Sequence, residues 1–236
     1  MNFLWYPFED LPFIFLTLVI AFTVHEFAHA YSAYKFGDRT AYDAGRVTLN
    51  PRVHLDVFGT ILILIAGFGW AKPVPVNRGR FKNPRLMGIV VSVVGPLSNL
   101  LVAALGMLAV YVLNHFGVLE SASTGVYQAI AHFSYYLITL NILLFLFNLL
   151  PIPPLDGYRI IQDIVPLHVR HKMDQNAHWG IFIFLLIVFI PQLREVTLTP
   201  LFSFWSVIFN FFAGMFETVF DRVFWGDLWA DVLKMK

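Results

Sequence analysis

The sequence predicts an all-α polytopic membrane protein of about five to six transmembrane helices, with a small re-entrant β-loop between the first two long ones. Three observations predict it. The 236 residues are 58% hydrophobic and only 13% charged, with a mean hydropathy of +0.69, whereas soluble domains carry roughly 25% charged residues. The apolar residues are gathered into long runs, and a bilayer core takes ~20 residues of helix to cross. The basic residues cluster between the first two runs, as the positive-inside rule expects of a cytosolic connection.

The first run, 11–34, follows Glu9 and Asp10 and has no Lys or Arg ahead of it. It therefore reads as a retained span rather than a cleaved signal peptide, with Trp5, Tyr6 and Phe8 as an interfacial aromatic anchor. Further runs lie at 86–113, 129–150, 178–192 and 199–219. The run at 178–192 is the weakest, because its apolar part, Trp179–Ile190, is short and meets Pro191.

Residues 55–69 hold a shorter apolar patch, Ile61–Ala66, among Gly59, Gly67 and Gly69. Lys35, Arg39, Arg46 and Arg52 precede it, and Lys72, Arg78, Arg80, Lys82 and Arg85 follow it. A crossing here would strand the second basic group outside, so the patch is expected to be re-entrant or interfacial. Arg46–Asn50 and Val74–Val76 are the strands expected to frame it, with an irregular cytosolic loop as the alternative. The connection 114–128 has no Lys or Arg, whereas Arg159, Arg170 and Lys172 follow the third long run. This places the N-terminus outside and the chain as a multi-pass protein of the cytoplasmic (inner) membrane. The tail, 220–236, reads as an amphipathic interfacial segment. One domain, 1–236, accommodates all of this, with a core at 11–175 and C-terminal helices at 178–219. A net charge of +1 offers no basis for a nucleic-acid partner, and the absence of Cys excludes thiolate metal sites.

His25-Glu26-Phe27-Ala28-His29 is an H-E-x-x-H sequence near the end of the first run. Residues i and i+4 share a helix face, so both imidazoles reach one Zn²⁺ and Glu26 is left free as a general base on a zinc-activated water. With 8 His and 5 Glu in the chain, chance yields the pattern about 0.006 times per sequence, which disfavours coincidence. A catalytic zinc takes three protein ligands, and Asp156, in Asn148-Leu149-Leu150-Pro151-Ile152-Pro153-Pro154-Leu155-Asp156-Gly157, is the candidate for the third. The prolines end regular helix there and Gly157 permits a sharp turn. An ordinary Asp-Gly turn is the other reading of the same residues. Two crossings separate His29 from Asp156, so both come to the cytosolic face, with the histidines ~9–15 Å from the end of their helix.

H-E-x-x-H in one membrane helix and N-x-x-P-x-x-x-x-D-G after another resemble the site-2 protease family of intramembrane zinc metalloproteases, peptidase family M50. The resemblance covers roughly residues 11–175. Gly45–Pro51, Gly69–Asn77 and Gly95-Pro96-Leu97-Ser98-Asn99 are similar to its short bacterial and archaeal branch, without PDZ or CBS domains. The resemblance implies one Zn²⁺ per chain held by His25, His29 and Asp156, with Glu26 as catalytic base. It also implies cleavage of a membrane protein substrate with a single transmembrane segment, within the lipid bilayer and close to the cytosolic face. Asn148 matches the motif asparagine and is a candidate for the substrate carbonyl or oxyanion, with Asn99 a weaker one. Gly67-Phe68-Gly69 resembles the G-x-G of the family's re-entrant loop, so Gly67 and Gly69 are expected to help bind substrate by strand addition.

His54 is a possible gating or accessory residue, with loop capping by His54 and Asp56 as the alternative. Two competing functions remain open at this point. One is a membrane zinc metallopeptidase of another class, with a distant Glu as third ligand, although Glu120 is outside by charge bias and Glu195 and Glu217 lie near weak spans and lack a motif. The other is a metal or ion transporter, since intramembrane His and Asp mark ion paths.

Overall fold

Proline and glycine divide the chain into its helices. In the computed structural model, which describes residues 6–66 and 69–234, these are α1 (Leu11–Lys35), α2 (Thr40–Asp43), α3 (Val57–Ala66), α4 (Pro84–His115), α5 (Val118–Ser121), α6 (Thr124–Asn148), α7 (Asp156–Ile164), α8 (Leu167–Phe189), α9 (Pro191–Glu217), α10 (Trp225–Leu228) and α11 (Ala230–Lys234). Pro84 and Pro191 open their helices, where a missing N–H costs nothing. Asn83 caps α4 by accepting the Leu86 N–H at 3.2 Å.

Four segments are long and apolar enough to cross a membrane: Phe8–Lys35, Pro84–His115, Thr124–Asn148 and Pro191–Glu217. Five to six were expected, and two stretches account for the difference. Residues 178–192 are not among the four by length and composition: 178–189 are the second half of α8, whose first half, from Leu167, carries Arg170, Lys172 and Asp174. α9 then starts at Pro191 rather than near 199 and packs back against α8. The patch at 55–69 forms α3, ten residues long, which at ~1.5 Å per residue covers about half of a bilayer core. Asp56 starts it by accepting the Gly59 N–H at 2.8 Å, so the loop-capping reading holds for Asp56.

The two framing strands do not form; among the described residues there is no strand. Pro73 and Pro75 flank Val74 and lack amide hydrogens, which deprives 73–75 of a ladder. Side chains hold the segment instead, as described below. Gly67 and the Trp5 part of the aromatic anchor lie outside the described residues.

α4 is the central helix and packs against α1, α6 and α7. The main core joins Ile14 and Leu18 of α1, Ala103 and Met107 of α4, and Tyr136 and Ile142 of α6. Asp10, fully buried, fixes the start of α1 to α6 by pairing with His132 Nδ1 at 2.5 Å and accepting the Tyr136 hydroxyl at 2.6 Å. The tail folds back on α6: Trp229 and Val232 are buried in the core, and Trp229 Nε1 donates to Ser134 Oγ at 3.1 Å. Phe224 and Leu233 of the same tail stay exposed, at 65% and 50%.

Candidate metal centre

His25 and His29 lie one turn apart on α1, and both are buried, at 7% and 8% exposure. Their Nε2 atoms are 3.0 Å apart. Asp156, the first residue of α7, brings Oδ2 to 3.2 Å from each of them. A tetrahedral zinc with bonds of ~2.0–2.1 Å needs ligand atoms ~3.3 Å apart, so the triangle is close to the required size before any ion enters.

The outer nitrogens show how these atoms are prepared to hold a cation. His25 Nδ1 donates to Asn99 Oδ1 at 2.7 Å, and His29 Nδ1 donates to the Val91 carbonyl at 2.6 Å. With the proton on Nδ1 in both rings, each Nε2 carries a lone pair toward the centre. Two lone pairs and a carboxylate oxygen within 3.2 Å repel one another unless a cation sits among them. The group is the one cluster of three such residues with metal-binding spacing among the described residues.

Glycine at position 95 makes the centre possible. A Cβ there would collide with the His29 ring, so only glycine lets α4 approach α1 this closely. Gly157 similarly lets the start of α7 rest against the carbonyls of Leu149 and Leu150.

Glu26 faces the same cavity, of about 180 Å³, together with Asn148 and the wall formed by Gly69–Val74. Its Oε2 accepts the backbone N–H of Val74 at 2.9 Å. Behind Val74, the buried Arg46 guanidinium donates to the carbonyls of Lys72 (2.5 Å) and Pro73 (3.1 Å). Nothing in the one-letter sequence announces these contacts, because the groups that receive or give the hydrogen bonds are main-chain atoms.

The remaining predicted residues divide. Asn148 lines the cavity and donates one N–H to its own helix, at Leu144 O, 3.0 Å away. Its second amide hydrogen is uncommitted among the described residues. Asn99 does not fit the oxyanion expectation: Nδ2 donates to Asn141 Oδ1 at 2.9 Å and to Ala21 O at 3.3 Å, which uses both hydrogens. It orients His25 instead. Gly69 packs against α3, since a Cβ there would collide with the Gly59 carbonyl. His54 is fully buried away from the cavity, with Nε2 donating to Thr48 O at 2.7 Å and its own carbonyl accepting the Lys72 N–H at 2.9 Å. Glu217, one alternative third ligand, accepts instead from Tyr111 Oη at 3.4 Å.

The chain is 54% identical over 202 residues to the "Putative zinc metalloprotease YwhC" of Bacillus subtilis, covering 85% of this chain and 90% of that one. It belongs to peptidase family M50. The family model for peptidase family M50 matches residues 116–191. Two mycobacterial proteins named "Putative zinc metalloprotease Rip2" also match this M50 chain. The one from Mycolicibacterium smegmatis is 26% identical, over 75% of this chain and 66% of its own. The one from Mycobacterium tuberculosis strain H37Rv is 28% identical, over 73% and 64%. No solved structure matches. The M50 chain is a multi-pass membrane zinc metalloprotease, and its His25, His29 and Asp156 are suited in number, spacing and chemistry to hold the zinc.

Proposed function

We propose that this enzyme hydrolyses peptide bonds in or near the transmembrane segment of single-span membrane proteins, close to the cytosolic face. The observation that carries the reading is the position of the catalytic pair. His25 and Glu26 lie within a membrane-length apolar helix, about ten residues before Lys35, or ~15 Å from its end. The basic residues that follow α1 and precede α4 favour assigning that end to the cytosol.

Bound by the three ligands, zinc supplies Lewis acidity, which makes water a stronger nucleophile near neutral pH and polarises a carbonyl. The chain's own residues do the rest. Glu26 takes the proton from the attacking water and returns it to the leaving amine. The free amide hydrogen of Asn148 is placed to stabilise charge on the substrate oxygen. The wall at Gly69–Val74 is a non-helical main chain beside Glu26, against which an unwound substrate segment can lie.

The test is Glu26→Gln with a co-expressed single-span substrate and zinc quantified on the purified protein. Zinc at one per chain with cleavage abolished is the expected outcome. Cleavage at the wild-type rate would sink the proposal, and metal flux in proteoliposomes insensitive to the substitution would favour a transporter.

A further inference from the structure

We propose that Arg159 is a substrate-binding residue that selects a carboxylate near the scissile bond, on the side of the cleft from which α4 begins. The inference rests on the proteolytic reading above. Arg159 stands three residues after Asp156 on α7, so it shares a helix face with the third metal ligand. It lines the same cavity as His25, Glu26 and His29, as does Arg78.

The charges gathered around Asp163 do not balance. Asp163 is fully buried, and Arg78 Nε lies 2.9 Å from its Oδ2 while Arg170 lies 3.2 Å from its Oδ1. Arg159 is within electrostatic reach of the same carboxylate. One carboxylate cannot neutralise three guanidinium groups. Arg78 and Arg170 hold it at contact distance, whereas Arg159 makes no hydrogen bond or ion pair with any described residue. Much of the cavity wall is apolar, from Phe22, Val91, Leu144 and Phe147. A half-buried guanidinium in such a wall has lost part of its water and has no fixed partner, and a carboxylate is the group its planar fork pairs with best. A lysine brought to the same position would meet an uncompensated positive field.

The experiment uses the wild-type protein in detergent with synthetic transmembrane peptides. Glu, Gln or Lys is scanned through the positions flanking the cleaved bond, and each peptide is made with a free or an amidated C-terminus. At one position Glu is expected to raise kcat/KM about tenfold over Gln, the usual scale for a charge-assisted hydrogen bond. A preference that follows the free C-terminus would identify the chain end as the source of the carboxylate. Arg159→Gln is expected to erase the preference, and Arg159→Glu to transfer it to Lys. The same peptides are also bound to the Glu26→Gln protein with and without Arg159→Gln, which gives the ratio of dissociation constants without turnover. Equal treatment of Glu and Gln at every position and of both termini overturns the inference, as does a preference that survives Arg159→Gln. A zinc-loaded wild type that cleaves no peptide counts against proteolysis itself, while the binding ratio still decides the role of Arg159.

Discussion

The backbone N–H of Val74 is hydrogen-bonded to Oε2 of Glu26 at 2.9 Å. The proposed general base is therefore aimed by a loop that Arg46 holds through two consecutive carbonyls. Removing Arg46 takes away the donor that ties down the Lys72 and Pro73 carbonyls and lets the Val74 amide drift. Arg46→Ala is expected to lower kcat at least tenfold with zinc content unchanged, and Arg46→Lys, which reaches one carbonyl, to fall between. Single-turnover cleavage alongside metal analysis checks this; a loss of zinc would place Arg46 in the metal site's support instead.

Asn99 fixes the tautomer of His25. Asn99→Leu removes the acceptor for Nδ1, and loss of such a partner typically weakens metal affinity 10–100-fold. Chelator competition should register that drop, whereas Asn99→Asp, which keeps an acceptor, should retain most of the affinity. Equal affinities for the Leu variant and wild type would remove Asn99 from the centre.

Gly95→Ala puts a methyl group where the His29 ring lies, whereas Gly125→Ala meets open space. The first variant is expected to lose stoichiometric zinc and activity, and the second to keep both. Circular dichroism at matched concentration distinguishes a displaced imidazole from a bundle that has failed to assemble.

His54 supplies a pH dependence. Burial, the larger influence, and the nearby Arg46 charge lower its pKa from the ordinary 6.5, outweighing its bond to Thr48. As pH falls below about 6.5, the unfolded chain takes up a proton at this position that the folded loop does not. Stability is therefore lost from there downward, until the folded pKa is reached. The thermal midpoint in detergent should decline over that window in the wild type and decline less in His54→Gln. Parallel curves would show that the loss comes from other groups.

The candidate metal-binding group was readable in the sequence because each member is a distinctive side chain. Helical spacing joins His25 to His29, and counting membrane crossings brings Asp156 back to them. The support was less readable. Val74 and Val91 act through main-chain atoms that every residue possesses, so their identities carry no signal. Asn99 was visible as a polar residue in an apolar helix, but only the contacts with Ala21 and Asn141 show that its donors are consumed. Around α3 the glycines suggested irregular backbone, yet Asp56 caps a regular helix there. Gly59 and Gly69 instead allow the chain to pass close to that helix.

His29 and Asp156 are 127 positions apart in the chain. At roughly 5–20 residues per second of synthesis, the first two ligands precede the third by about 6–25 s. A ribosome-bound intermediate that has inserted α1 holds the base and two imidazoles but no complete metal site. The enzyme's biogenesis thus contains its own delay: the nascent chain has no complete candidate metal site until α4 and α6 are in place and α7 has been made.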